Sequence, residues 1–278
     1  MSFAFGSPAS PVQASPVPAC TVAELRERVR RIERPAAWRH GVLPFGVAES
    51  DRALPSGGLA RGAVHEILGQ GSDEEDCAAA AGFAAGILAR LGGGPVLWCL
   101  KRPDLYGPGL AAHGLDPARL AIVRAARDDE ILWAVEEGLR SPGLAAVVGE
   151  IGRLPMVASR RLQLAAERSG VTALILRRWR NAAEATAERE RPSAAVTRWR
   201  VAALPSADIA GEPGIGRPRW RIELLRCRGG VPAAWDVEVA DATGHVCLSA
   251  GLADRPAAPA EQAISPYRAE PVAARLAG

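Results

Sequence analysis

Gly62-Ala63-Val64-His65-Glu66-Ile67-Leu68-Gly69-Gln70-Gly71-Ser72-Asp73-Glu74-Glu75-Asp76 is the stretch that decides how this chain folds. Ala63 to Leu68 is a continuous apolar run of the kind that forms a buried strand, Gly69 to Asp76 reads as a loop, and the alanine-rich segment beyond it reads as a helix from about Glu75 to Leu91, stopped by Gly92-Gly93-Gly94. Strand, glycine loop and helix together are the setting in which backbone N–H groups cradle phosphates. A working phosphate loop also needs a lysine for the β- and γ-phosphates and a Ser or Thr hydroxyl for Mg²⁺. Here four consecutive acids fill that place, and Lys101 is the only lysine among 278 residues. Several negative charges facing a triphosphate outweigh the helix dipole, which contributes only about 0.3–1 kcal/mol at an exposed site. The loop therefore has the position of a nucleotide site without its chemistry. We expect no ATP hydrolysis, no cofactor and no metal. The acids read either as a solvated cluster that starts a helix or as a patch for a basic partner.

Further along, strands and helices alternate. Pro95–Leu100, Leu120–Val123, Leu144–Val148 and Val171–Leu176 read as strands. A short helix falls within Leu105–His113, one opens at Asp128-Asp129-Glu130, and one runs from Met156 to Ser169 before Gly170. Repeated β-α units with apolar strands imply a parallel sheet covered by helices. The C-terminal third instead alternates polar and apolar residues, as in Arg219-Trp220-Arg221-Ile222-Glu223-Leu224 and Trp235-Asp236-Val237-Glu238-Val239, with turns at Gly229-Gly230-Val231-Pro232 and Asp241-Ala242-Thr243-Gly244. That pattern predicts an antiparallel extension with one wet face. The fold class is α/β, a mostly parallel central sheet flanked by helices with antiparallel strands added at the C-terminal end.

Before this core, residues 1–20 are proline-punctuated and expected to be disordered. Thr21-Val22-Ala23-Glu24 is a capping box opening a helix whose apolar stripe is Val22, Leu25, Val29 and Ile32, ended by Pro35. The stripe either packs on its own domain or docks on another chain. The core is expected over 37–252 and a Pro/Ala-rich tail over 253–278. The five cysteines form no Cys-x-x-Cys pair and the four histidines show no metal spacing, which favours reduced thiols in a cytoplasmic protein. No apolar run approaches the ~18–20 residues that span a bilayer, and nothing at the N-terminus resembles a signal peptide.

With these elements in order, the segment Asp51-x-x-Leu54-Pro55-x-Gly57-Gly58-Leu59, then Arg61-Gly62, strand and Gly69 loop, resembles the entry to the RecA-type recombinase core. Leu54-Pro55-Ser56-Gly57-Gly58-Leu59-Ala60-Arg61-Gly62-Ala63-Val64-His65-Glu66 and Arg219–Gly230, with Trp235 and Asp241–Gly244, are similar to the signatures of the ImuA family of damage-inducible mutagenesis proteins. The resemblance covers about residues 21–250. It implies a RecA-like core in which Gly69 and Gly71 belong to a vestigial nucleotide loop. Glu74 stands where a second glycine is needed, Glu75 in the place of the lysine, Asp76 in the place of the Mg²⁺-binding hydroxyl, and Gly149-Glu150 where a strand delivers a metal-associated aspartate.

The resemblance further implies a cytoplasmic protein of the SOS response, at the nucleoid during DNA damage. It would support translesion synthesis with an ImuB-type Y-family polymerase homologue and, through it, an error-prone DnaE-type polymerase. RecA or a second copy of the chain are further candidate partners, and Val22, Leu25, Val29 and Ile32 form the candidate contact surface. In recombinases a mobile DNA-binding loop follows the last parallel strand, so Arg177, Arg178, Trp179 and Arg180 are candidate contacts to single-stranded DNA. Alternatives are a division inhibitor resembling SulA, from which the length differs, a residual ATPase, and a single-strand-binding accessory. His65 and Glu66, in a buried-type strand, suit structural hydrogen bonds better than acid–base work.

Overall fold

A computed structural model of the chain describes residues 39–71, 73–209 and 212–248, together with Glu24. The N-terminal stripe and the tail after residue 248 lie outside the described residues. The core is a nine-stranded sheet in which the parallel part comprises β3 (Val64–Gly69), β4 (Val96–Leu100), β5 (Leu120–Arg124), β6 (Ala146–Ile151), β7 (Thr172–Arg177) and β8 (Thr197–Ile209). It continues antiparallel into β9 (Glu212–Cys227), β10 (Ala233–Glu238) and β11 (Cys247–Leu248). The spatial order is β5-β4-β6-β7-β3-β8-β9-β10-β11. A separate hairpin-like pair, β1 (Val42–Leu43) with β2 (Leu59–Ala60), leads the chain into β3. The expected α/β architecture, a parallel sheet with antiparallel strands at its C-terminal side, is what the chain forms, and its strand order is that of a RecA-like core.

Helices cover both faces. On one lie α1 (Ala48–Ala53), α2 (Asp73–Arg90) and α3 (Gly107–Ala112), packed with Phe83, Leu88, Trp98, Trp199 and Ile222 into the larger core. On the other lie α4 (Asp128–Leu139) and α5 (Met156–Ser169), which bury Ile131, Val135, Leu139 and Leu162 against Val147, Ala173 and Ile175. A further helix, α6 (Ala182–Arg189), was not evident in the sequence. Asn181 caps it, its side chain accepting from the Glu184 N–H at 2.9 Å. Gly170, in the left-handed region at φ +82°, ends α5 as expected.

Two expectations shift in detail. The first strand of the C-terminal extension, β8, is parallel to β3, because α6 carries the chain over β3 before β8 begins; antiparallel pairing starts only at β9. Strand β6 runs to Ile151, three residues past its expected end, so Gly149 and Glu150 lie within the sheet and pair with Ile175 and Leu176. A side chain at position 149 would meet Val135 Cγ2 at 2.7 Å, so the glycine there lets α4 pack close to the strand. Edge strand β5 pairs only with β4 and is half exposed along its length.

Strand β3 is fixed by a chain of hydrogen bonds whose directions follow from its ends. The Trp199 indole can only donate, so Thr197 Oγ1 accepts from Nε1 at 2.7 Å and passes its own hydrogen to His65 Nδ1 at 2.7 Å. The Ala60 carbonyl can only accept, so His65 Nε2 carries the proton, at 2.8 Å. Complete burial holds this neutral imidazole at a pKa of about 4, against an ordinary 6.5. The unfolded chain protonates first, so the stability that depends on neutral His65 is whole above pH 6.5 and falls as the pH drops towards 4. The loss is about 3 kcal/mol. Chemical denaturation at pH 7 and pH 4 should show this decrement, and His65→Gln should make it smaller by that amount.

Candidate functional site

The C-terminal ends of β3, β6 and β7 converge with the start of α2, and this edge holds the loop that begins at Gly69. Gly69 ends β3 with its Cα against Asp76, where a Cβ would meet the Asp76 Cβ at 2.7 Å. Asp76 is buried, and its carboxylate accepts from the Gly71 N–H at 2.7 Å and more weakly from the Ala203 N–H of β8 at 3.4 Å. From the other side Arg189 of α6 donates to the Gln70 carbonyl at 2.5 Å. The loop is therefore held by side chains of its own protein on both flanks. Glu74 and Glu75 place their backbone in the first turn of α2, where acids complement the helix dipole.

Glu150 sits in β6 facing the α2–α3 side, and both its oxygens are engaged. Oε1 accepts from Trp98 Nε1 at 2.7 Å, and Oε2 from Arg178 at 2.6 Å. Burial raises its pKa, and the Arg178 charge and hydrogen bonds only partly oppose this. Arg178 in turn makes a bidentate pair with Asp104, at 2.9 and 2.7 Å. Lys101, at the end of β4, pairs with Asp128, whose other oxygen accepts from the Gly152 and Arg153 N–H groups. The single lysine thus stabilises the turn after β6 and is remote from the Gly69–Asp76 loop in its bonding. Between the loop, α2 and α3 lies an apolar cleft of about 270 Å³, walled by Gly71, Ala78, Ala81, Tyr106, Leu110 and Leu176.

The arginine segment is placed differently from its expected DNA-facing role. Arg177 ends β7 with its side chain 1% exposed, 2.7 Å from Glu66, and its guanidinium stacks on Trp179, 5.4 Å from the ring centroid. Trp179 is itself buried and donates to the Gly152 carbonyl at 2.9 Å. A DNA contact by Arg177 or Trp179 is corrected to a structural role, because both are buried, Arg177 bonding Glu66 and the Gly152 carbonyl through its terminal nitrogens and Trp179 bonding that carbonyl through its indole N–H. Of the four residues only Arg180 is openly exposed, and it pairs with Glu184 at 3.0 Å.

Sequence reasoning missed the network to which Arg177 belongs. Fully buried Glu66 is held by Arg177 and, at 3.0 Å, by Arg198 of β8, with the Ser193 hydroxyl donating as well. Arg198 also donates to the carbonyls of Arg189 and Arg191 at 2.9 and 2.7 Å. Burial alone would raise the Glu66 pKa, but the charges of Arg177 and Arg198 carry it below the usual carboxylate range. The available signal was the acid itself: a carboxylate in an apolar strand requires buried bases on its neighbours, and Arg198 stands opposite Glu66 at the start of β8 while Arg177 ends β7.

The fold defines the class: a RecA-like core in which the Gly69 loop is followed by acids and by no lysine. No family model matches the chain. It is 40% identical over 229 residues to Protein ImuA of Caulobacter vibrioides, in strain NA1000 / CB15N and equally in strain ATCC 19089 / CIP 103742 / CB 15, covering 79% of this chain and 93% of each relative. The chain belongs to the ImuA family. Among the described residues no helix is long and apolar enough to cross a membrane.

Glu66→Gln should destabilise the fold by about 3–5 kcal/mol, because it leaves two guanidinium groups buried without a counter-charge. Arg180→Ala, at an exposed pair, should change stability by less than about 1 kcal/mol. Urea denaturation of the two variants beside the parent chain measures both.

Proposed function

We propose that this chain is a non-catalytic, RecA-like adaptor in DNA-damage-induced mutagenesis. Membership of the ImuA family supports a role in translesion synthesis in the cytoplasm, beside an ImuB-type homologue of Y-family polymerases and, through it, an error-prone DnaE-type polymerase. The observation that carries the non-catalytic part is the Asp76 carboxylate on the Gly71 N–H at 2.7 Å. A phosphate approaching this loop would meet an anion already bonded to it, with no lysine to neutralise either. Glu150, the carboxylate best placed to hold Mg²⁺, would have to give up Trp98 and Arg178 to do so. What remains of the recombinase plan is a rigid sheet that presents surfaces, with Val22, Leu25, Val29 and Ile32 as the partner contact.

Two measurements test this reading. The purified chain should show no Mg²⁺-dependent ATP turnover above buffer; turnover that disappears with Glu150→Gln would overturn the non-catalytic part. The full-length chain should co-purify with its ImuB-type partner, and a chain lacking residues 1–36 should bind at least tenfold more weakly while its core remains folded. Failure of both chains to bind would overturn the adaptor part.

A further inference from the structure

Helices α4 and α5 expose apolar side chains on their outer faces: Val157 is 71% exposed, Trp133 65% and Leu164 53%. Between the helices runs a groove of about 480 Å³, with Glu136 and Arg140 on one side, Arg161, Leu164 and Ala165 on the other, and Ser169 at its lower end. Within it Arg140, at 2.6 Å, and Arg161 both hold Glu136, and Arg168 also lines it. The uncovered apolar feature is the line of α5, where Val157 and Leu164 stand two turns apart.

The position of the chain's entry indicates what covers that line. Near the start of the continuously described residues, His40 places its Nε2 2.9 Å from the Glu167 carbonyl in the last turn of α5. Its ring packs against Gly170 and Gly62, where added Cβ atoms would meet it at 2.9 and 2.5 Å. His40, which follows the segment 21–38 in the chain, is thus fixed two residues from Ser169, the lower end of the groove. That segment carries Val22, Leu25, Val29 and Ile32 on one helical face.

We propose that residues 21–34 dock as a helix along the α4–α5 groove of their own chain, with the stripe turned onto Leu164 and Val157. The dimensions agree. Fourteen residues make a helix of about 21 Å, the length of the fourteen-residue α5. Residues 35–38 reach about 13 Å when extended, enough to pass the end of one helix about 10 Å across. In the adaptor reading the same stripe meets the partner, which then competes with the groove for it.

Photo-crosslinking of the full chain, without partner, tests this independently of the adaptor reading. With Leu25→p-benzoylphenylalanine, irradiation should give crosslinks within single chains that map to residues 133–142 or 157–169, in a yield independent of protein concentration. Adding Leu164→Glu, at an exposed position, should lower that yield at least tenfold while the circular dichroism spectrum is unchanged. Crosslinks between two chains that rise with concentration would assign the groove to a second copy and overturn the proposal. Crosslinks only to another face, no crosslinks, or a yield indifferent to Leu164→Glu would overturn it too.

Discussion

The buried Glu66 carboxylate, held between Arg177 and Arg198, is the constraint on which the rest of the C-terminal edge depends. An ionised acid at the centre of a sheet is tolerated only when bases and hydrogen bonds replace its water. Those bases come from the two strands flanking β3, so one carboxylate fixes the ends of β7 and β8 together. Arg198 then binds the carbonyls of Arg189 and Arg191, and Arg177 the carbonyl of Gly152 at 2.9 Å, which positions α6 and the turn after β6. Arg177 and Arg198 serve as internal struts.

The neighbouring loop follows the same logic of internal satisfaction. In a nucleotide-binding loop the backbone N–H groups stay free for phosphate. Here the Gly71 N–H is bonded to Asp76, Glu150 is bonded to Trp98 and Arg178, and Lys101 is bonded to Asp128. Asp76, Glu150 and Lys101 thus support this edge through bonds within the chain.

Register separates what could be read in the sequence from what could not. The alternation of Trp220, Ile222 and Leu224 with Arg221 and Glu223 was enough to place one wet and one dry face on β9. The replacement of lysine by Glu75 was equally plain. The fate of Arg177 was not, because a run such as Arg177-Arg178-Trp179-Arg180 reads alike whether its side chains point outward or inward. In a strand, neighbouring residues face opposite sides. Arg177 therefore meets Glu66 while Arg178 meets Glu150 on the other face, and only the paired strands reveal it.

The sequence by itself determined the succession of strands and helices through β7, though not α6, together with the lack of a lysine at the Gly69 loop and the resemblance to the ImuA family, since local periodicity and residue identity carry all three. The tertiary structure alone decided that β8 lies parallel to β3, that Glu66 gathers two arginines, and that Asp76 is bonded to the loop amide of Gly71. These depend on contacts between residues 5 to 132 positions apart, and a charged side chain takes its role from whichever partner the folded chain brings within about 3 Å.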